Sequence, residues 1–147
     1  MTNRIAFRPT TQVDEAFAYR VRETTMRDYV METWGVWNAD EARAQINEDI
    51  RSLKSKIIVI DGQDAGVLRV DEFDTHVHVD QLWILPGFQG QGFGRAILGQ
   101  ILEQSKAMGL PLRLWVLRVN PATKFYQRLG FSIIEQTQTS LHLECLP

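Results

Sequence analysis

Gln89-Gly90-Gln91-Gly92-Phe93-Gly94-Arg95 stands between a segment of strand character and the start of an amphipathic helix, and this placement decides how the chain is read. Phe93, Ile97, Ile101 and Met108 recur near helical spacing, and Gly109 with Pro111 ends that helix. The first amides of a helix have no partner within it and share the positive end of its dipole, while glycines let a ligand come close. A pyrophosphate is the ligand this arrangement suits; a plain strand-to-helix turn is the alternative. Two other glycine patterns fail. Arg95 stands where a dinucleotide loop needs its third glycine, and Gly94 is followed by Arg95-Ala96 where a triphosphate loop needs Lys and then Ser or Thr.

Downstream, Leu112, Leu114 and Val116 alternate as a strand, and a strand-helix-strand unit of this length implies a right-handed parallel crossover. Asn120 caps a short helix with Pro121 at its first position, and Gly130 closes it. Segments 131–134 and 140–144 are strands. Upstream, 57–60, 65–73 and 76–85 form an antiparallel meander, with Asp61-Gly62 at its first turn. Segment 5–8 is a strand stopped by Pro9. Thr11 caps a helix running to about Tyr29, an aromatic loop follows, and Asn38 with Glu41 has capping spacing for a helix to about Leu53. The order gives an α/β sandwich with a mixed sheet and helices on both faces.

The 147 residues fit one domain, 1–147, with 44% hydrophobic and 23% charged residues. No stretch approaches the about 20 apolar residues of a membrane span, so no membrane partner is expected. Met1-Thr2-Asn3-Arg4 leads directly into Ile5 without an apolar leader. The one cysteine, Cys145, supports neither a disulfide nor a cysteine metal site, and the expected compartment is the reducing cytoplasm. A formal charge of -2 and no basic run argue against nucleic acid as a partner.

Gln89-x-x-Gly92-x-Gly94 resembles the acyl-CoA pyrophosphate loop of the GNAT (GCN5-related N-acetyltransferase) superfamily. Asn120-Pro121-Ala122-Thr123-Lys124-Phe125-Tyr126-Gln127-Arg128-Leu129-Gly130-Phe131 is similar to that superfamily's later motif, and the two come in the family's order. The resemblance covers roughly 77–131. It implies a mixed, largely antiparallel central sheet with one splayed parallel strand pair, and acetyl-CoA as cosubstrate with no metal. It also implies pyrophosphate on the loop from Gln89 through Gly90, Gln91, Gly92, Phe93 and Gly94 to Arg95. Pantetheine would lie in the splay against Ile84 and the amide of Leu82, with Asn120, Phe125 and Tyr126 contacting the cosubstrate. Leu82 N–H would then face the thioester carbonyl.

Acetyl transfer to an amine needs a base, since an amine of pKa near ~10 is protonated at neutral pH, and an acid for the thiolate. Strand alternation puts His76, His78 and Asp80 on one face, and the family resemblance points to His78 or Asp80 as base; a water chain or a merely solvated face are the alternatives. Tyr126 is the expected acid. Tyr29, Trp34, Trp37 and Trp83 are candidates for an acceptor pocket, flanked by Glu23, Asp28, Glu32 and Asp40. The expected activity is N-acetylation of the primary amine of a small molecule by direct transfer in a ternary complex. A protein or peptide acetyltransferase and a non-catalytic acyl-CoA-binding regulatory domain are the alternatives, and a homodimer is a further expectation.

Overall fold

The computed structural model describes residues 4–147; Met1, Thr2 and Asn3, read above for a leader, lie outside them. The elements are β1 (Ile5–Pro9), α1 (Glu15–Trp34), α2 (Ala39–Arg51), β2 (Ser55–Ile60), β3 (Gln63–Glu72), β4 (Val77–Ile84), α3 (Phe93–Ala107), β5 (Leu112–Leu117), α4 (Ala122–Arg128), β6 (Ser132–Gln136) and β7 (Ser140–Cys145). They build one seven-stranded sheet in the order β1-β2-β3-β4-β5-β7-β6. Every neighbouring pair is antiparallel except β4 and β5. The mixed, largely antiparallel sheet with one parallel pair is the architecture the sequence implies.

Two apolar layers flank the sheet. Ile97, Leu98 and Ile101 of α3 pack on one face with Ile58, Leu68, Val79, Leu114 and Leu143. Val21 of α1 and Ile46 and Ile50 of α2 cover Ile57 and Val67 on the other. Residues such as Ile57, Ile58, Ile97 and Leu143 are fully enclosed, each contributing roughly 1.5–3 kcal/mol by leaving water.

Most element ends shift by one or two residues from the sequence reading, and two helix boundaries have a clear physical reason. Helix α1 runs past Tyr29 to Trp34, where Gly35, at φ 76°, donates its N–H to Met31 O at 2.7 Å. Trp34 therefore belongs to the helix; the left-handed stop that glycine supplies comes a turn later than expected. Helix α4 begins at Ala122 rather than Pro121, though Asn120 Oδ1 still accepts the Ala122 N–H at 2.9 Å.

Strand β4 carries the feature that shapes the site. Arg69 pairs with Gln81 but Val70 with Val79, so Asp80 is an extra residue in a β-bulge. Val77 and Val79 point into the α3 layer, and so do Leu82 and Ile84; Trp83 packs into the α1–α2 layer. The simple alternation expected along this strand thus breaks at Asp80. His76 lies just before β4, stacked on Phe73 with ring centroids 4.9 Å apart.

Candidate active site

The parallel pairing of β4 with β5 extends only from Val77↔Leu112 to Val79↔Leu114. Beyond it the strands part, and both continue to Ile84 and Leu117. On its other edge β4 stays bound to β3, and Leu85 N–H donates to Ala65 O at 2.9 Å. Alternation from that bond turns the N–H and C=O of Leu82 and Ile84 toward the gap. The bulge has reset the phase, so these groups face the splay while Trp83 is directed at β3.

Beyond the splay, Gly92 caps α3 at φ 85°, with no side-chain hydrogen bond to the cap. The first bond of the helix runs from Ala96 N–H to Gly92 O, leaving the amides of Phe93, Gly94 and Arg95 free to bind an anion. Gly90, at φ 73°, provides a second left-handed turn. A side chain at either glycine would strain the backbone, which explains the composition of the loop.

A cavity of about 550 Å³ joins the two features. Leu82, Ile84, Gln89, Gly90, Gly92, Phe93, Gly94, Arg95, Asn120, Phe125 and Tyr126 all line it. The side chains of two loop residues hold the loop itself: Gln89 Nε2 donates to Ile84 O at 2.7 Å, and Gln91 Nε2 to Gly87 O at 3.1 Å. Gln91 is not among the lining residues. The unpaired first-turn amides, the open strand edge and the cavity between them fit the pyrophosphate and pantetheine of an acyl-CoA.

A second cavity of about 180 Å³ opens at the splay, lined by Asp80, Trp83, Trp115, Asn120 and Tyr126 among others. Leu82, Trp83, Asn120 and Tyr126 border both spaces. Tyr126 packs edge-on against Phe125 and Phe131, at centroid distances of 5.4 and 5.8 Å. Burial alone pushes its phenol above the ordinary tyrosine value, with no hydrogen bond offsetting it. The hydroxyl is therefore protonated at neutral pH and free to donate.

His78 lines neither cavity. Its Nε2 lies 3.9 Å from Asp80 Oδ1, and burial holds its pKa below the usual histidine value despite the nearby Asp80 and Asp71. His76 donates to or accepts from Thr75 Oγ1 at the turn, 2.8 Å away, remote from the gap. Tyr29 and Trp83 reach the large cavity, whereas Trp34 and Trp37 line a separate one between α1 and α2. Glu23 accepts the Tyr19 hydroxyl at 2.7 Å, a bond within α1.

The sequence reading missed the polar layer beneath Asp80. Asp49, on α2, accepts from Arg69 Nη1 at 2.9 Å, Gln81 Nε2 at 2.8 Å and Gln45 Nε2 at 2.9 Å. Arg69 also pairs with Asp71 at 3.0 Å and stands 3.7 Å from Asp80. Only the i,i+4 spacing of Gln45 and Asp49 is visible locally; the remaining partners meet through the sheet.

A family model described as an acetyltransferase (GNAT) domain matches residues 54–133, more than half of the chain. An uncharacterized N-acetyltransferase of Bacillus subtilis, CgeE, is 28% identical over 78 residues, 52% of this chain and 30% of the relative. The ribosomal protein bS18 alanine N-acetyltransferase of Haemophilus influenzae is 40% identical over 53 residues, 35% of this chain and 36% of the relative. The chain thus spans about a third of the length of these curated relatives. The structure of the PaiA N-acetyltransferase from Thermoplasma acidophilum, in complex with coenzyme A, superposes with a TM-score of 0.75 at 16% identity, covering 100% of both chains. The ribosomal-protein-S18-alanine N-acetyltransferase from Escherichia coli gives 0.66 at 17% identity, covering 97% of this chain and 93% of that one. At such identities the superpositions speak for the fold, and the family match speaks for descent: the chain belongs to the GNAT acetyltransferase family.

Proposed function

We propose that this chain is an acetyl-CoA-dependent N-acetyltransferase that passes the acetyl group directly to the primary amine of a small-molecule acceptor in a ternary complex. The observation that carries this reading is the parting of β4 from β5 between a loop of unpaired helix-start amides and the hydroxyl of Tyr126. Acetyl-CoA supplies an activated thioester. The amides of Phe93 to Arg95 bind its pyrophosphate, and the open edge at Leu82 with the N–H of Ile84, whose carbonyl is taken by Gln89, holds the pantetheine as an added strand would.

Leu82 N–H donates to the thioester oxygen as negative charge grows there. Asp80, bordering the smaller cavity, accepts the proton of the incoming amine directly or through water, with His78 behind it. Tyr126 gives its phenolic proton to the departing sulfur. Cys145 favours direct transfer by its position: it pairs with Leu112, at the end of β5 opposite the splay, where no acyl group could pass through it.

A peptide acceptor is the second reading, favoured by the relatives named for acetylating a ribosomal protein. Purified protein with acetyl-CoA, offered panels of small amines and of peptides with release of free thiol as the readout, tests both. Thiol release with amines supports the first and with N-terminal peptides the second. Tight CoA binding with no turnover on either panel would leave a regulatory acyl-CoA-binding domain.

A further inference from the structure

Arg22, on α1, is a half-buried cation with one enclosed donor left unmet. Its Nη1 is enclosed with no partner among the described residues. The guanidinium lies over the indole of Trp83, 5.4 Å from the ring centroid. Asp49, Asp80 and Glu41 act on its charge only from a distance. Asp49 already receives three hydrogen bonds from other side chains, and Asp80 lies near Arg69. A guanidinium stays protonated, so an enclosed N–H left without a partner is costly and calls for an explanation.

Arg22 borders a cavity of about 410 Å³ between α1 and α2, walled by Trp34 and Trp37, with Glu41 at its side. Trp83, on which Arg22 lies, also borders both cavities at the splay. Arg22 is therefore one aromatic side chain removed from the place where an acceptor meets the thioester.

Resting on the acceptor reading above, we propose that the α1–α2 cavity is a subsite for a carboxylate carried by the acceptor, with Arg22 as its anchor. A planar guanidinium matches a carboxylate through paired N–H donors, and Glu41 opposes a more highly charged anion such as phosphate. Because the indole of Trp83 intervenes, the acid and the reacting amine are separated by several bonds. The substrate class is ω-amino carboxylates, or longer molecules ending in the same two groups, rather than α-amino acids.

Matched pairs test this: 4-aminobutyrate against butylamine, and 6-aminohexanoate against hexylamine. In the wild-type enzyme, kcat/KM should favour the carboxylate member of at least one pair by about tenfold or more, the scale of a charged hydrogen bond. In Arg22→Gln the ratio should fall toward one, while Arg22→Lys should restore part of it. An equal ratio in wild type and Arg22→Gln, or preference for the alkylamine, overturns the proposal. A binding measurement keeps the test independent of turnover. The 15N–1H signal of Arg22 Nε, assigned by its loss in Arg22→Lys, is followed in acetyl-CoA-loaded protein during titration with each compound. Saturable shifts by the amino carboxylates and not the alkylamines support the subsite; no saturable shift by either amino carboxylate overturns it, whether or not acetyl transfer occurs. Shifts without transfer would count against the acetyltransferase reading alone.

Discussion

Gln81 Nε2 donates to Asp49 Oδ2 at 2.8 Å across the interface between β4 and α2, and the two residues are only 5% and 2% exposed. Gln81 is the residue at which β4 resumes its pairing after the extra Asp80. A side chain from a helix without lining residues at the splay thus holds the bulge that turns Leu82 toward the gap. Asp49→Ala would leave Arg69 and Gln81 buried with unmet donors, a loss of about 3–5 kcal/mol of unfolding free energy. Asp49→Asn keeps the shape and one acceptor, and should retain the fold while lowering kcat more than it raises the KM for acetyl-CoA. Urea unfolding and steady-state kinetics on the two variants check this; an Asp49→Asn enzyme with wild-type kcat would detach the clamp from catalysis.

Gly92→Val addresses the anion loop. At φ 85° a branched side chain costs about 1–2 kcal/mol of strain. Among the described residues no neighbouring atom lies within 4 Å of the added Cβ, so packing gives the domain no reason to unfold. Calorimetry should show CoA binding lost in a protein that still melts cooperatively. Undiminished affinity would place the pyrophosphate elsewhere.

His78 ties stability to pH. Burial depresses its folded pKa, while the unfolded chain titrates near the ordinary ~6.5. The unfolded state therefore binds the proton first on acidification. The contribution is present above about pH 6.5 and is lost as pH falls through the lower folded value. Unfolding free energy measured down from neutral pH should decline more steeply in the wild type than in His78→Gln. Parallel curves would show that His78 does not carry the slope.

How much of this was legible follows from how local each signal is. The loop at Gly92 and the motif from Asn120 to Phe131 are contiguous, so their chemistry can be read before the chain is folded. The meander and crossover follow from connection lengths and periodicity. The phase of β4 could not be read this way, because nothing in Val79-Asp80-Gln81-Leu82 announces a bulge; it depends on how Arg69 and Asp49 meet Gln81. The role of Arg22 is hidden in the sequence for the same reason. On the sequence it is one of several arginines in α1, and only folding lays it over Trp83, 61 positions away. Gly35 is a local signal, but its left-handed stop is obscured in the sequence by the aromatic residues around it.

Tyr126→Phe separates packing from proton transfer. The ring keeps its edge contacts with Phe125 and Phe131, and the hydroxyl has no hydrogen bond to lose among the described residues, so the melting temperature should change little. Because burial raises the phenol's pKa, Tyr126 is fully protonated through neutral pH, and any loss of rate in the variant reflects a missing proton rather than a missing charge. Removing a general acid costs about 10²- to 10⁴-fold in rate, roughly 3–5 kcal/mol at the transition state. Acetyl-CoA affinity should move far less, since the thiolate needs its proton only as the bond to carbon breaks. Single-turnover measurement with saturating acetyl-CoA takes product release out of the comparison. An acceptor that makes thiolate departure fast could still mask the acid, so the variant should be compared on amines of differing basicity. A drop below about threefold on every amine, well short of the expected range, would leave Tyr126 as a wall of the cavity and give the proton of the leaving sulfur to water.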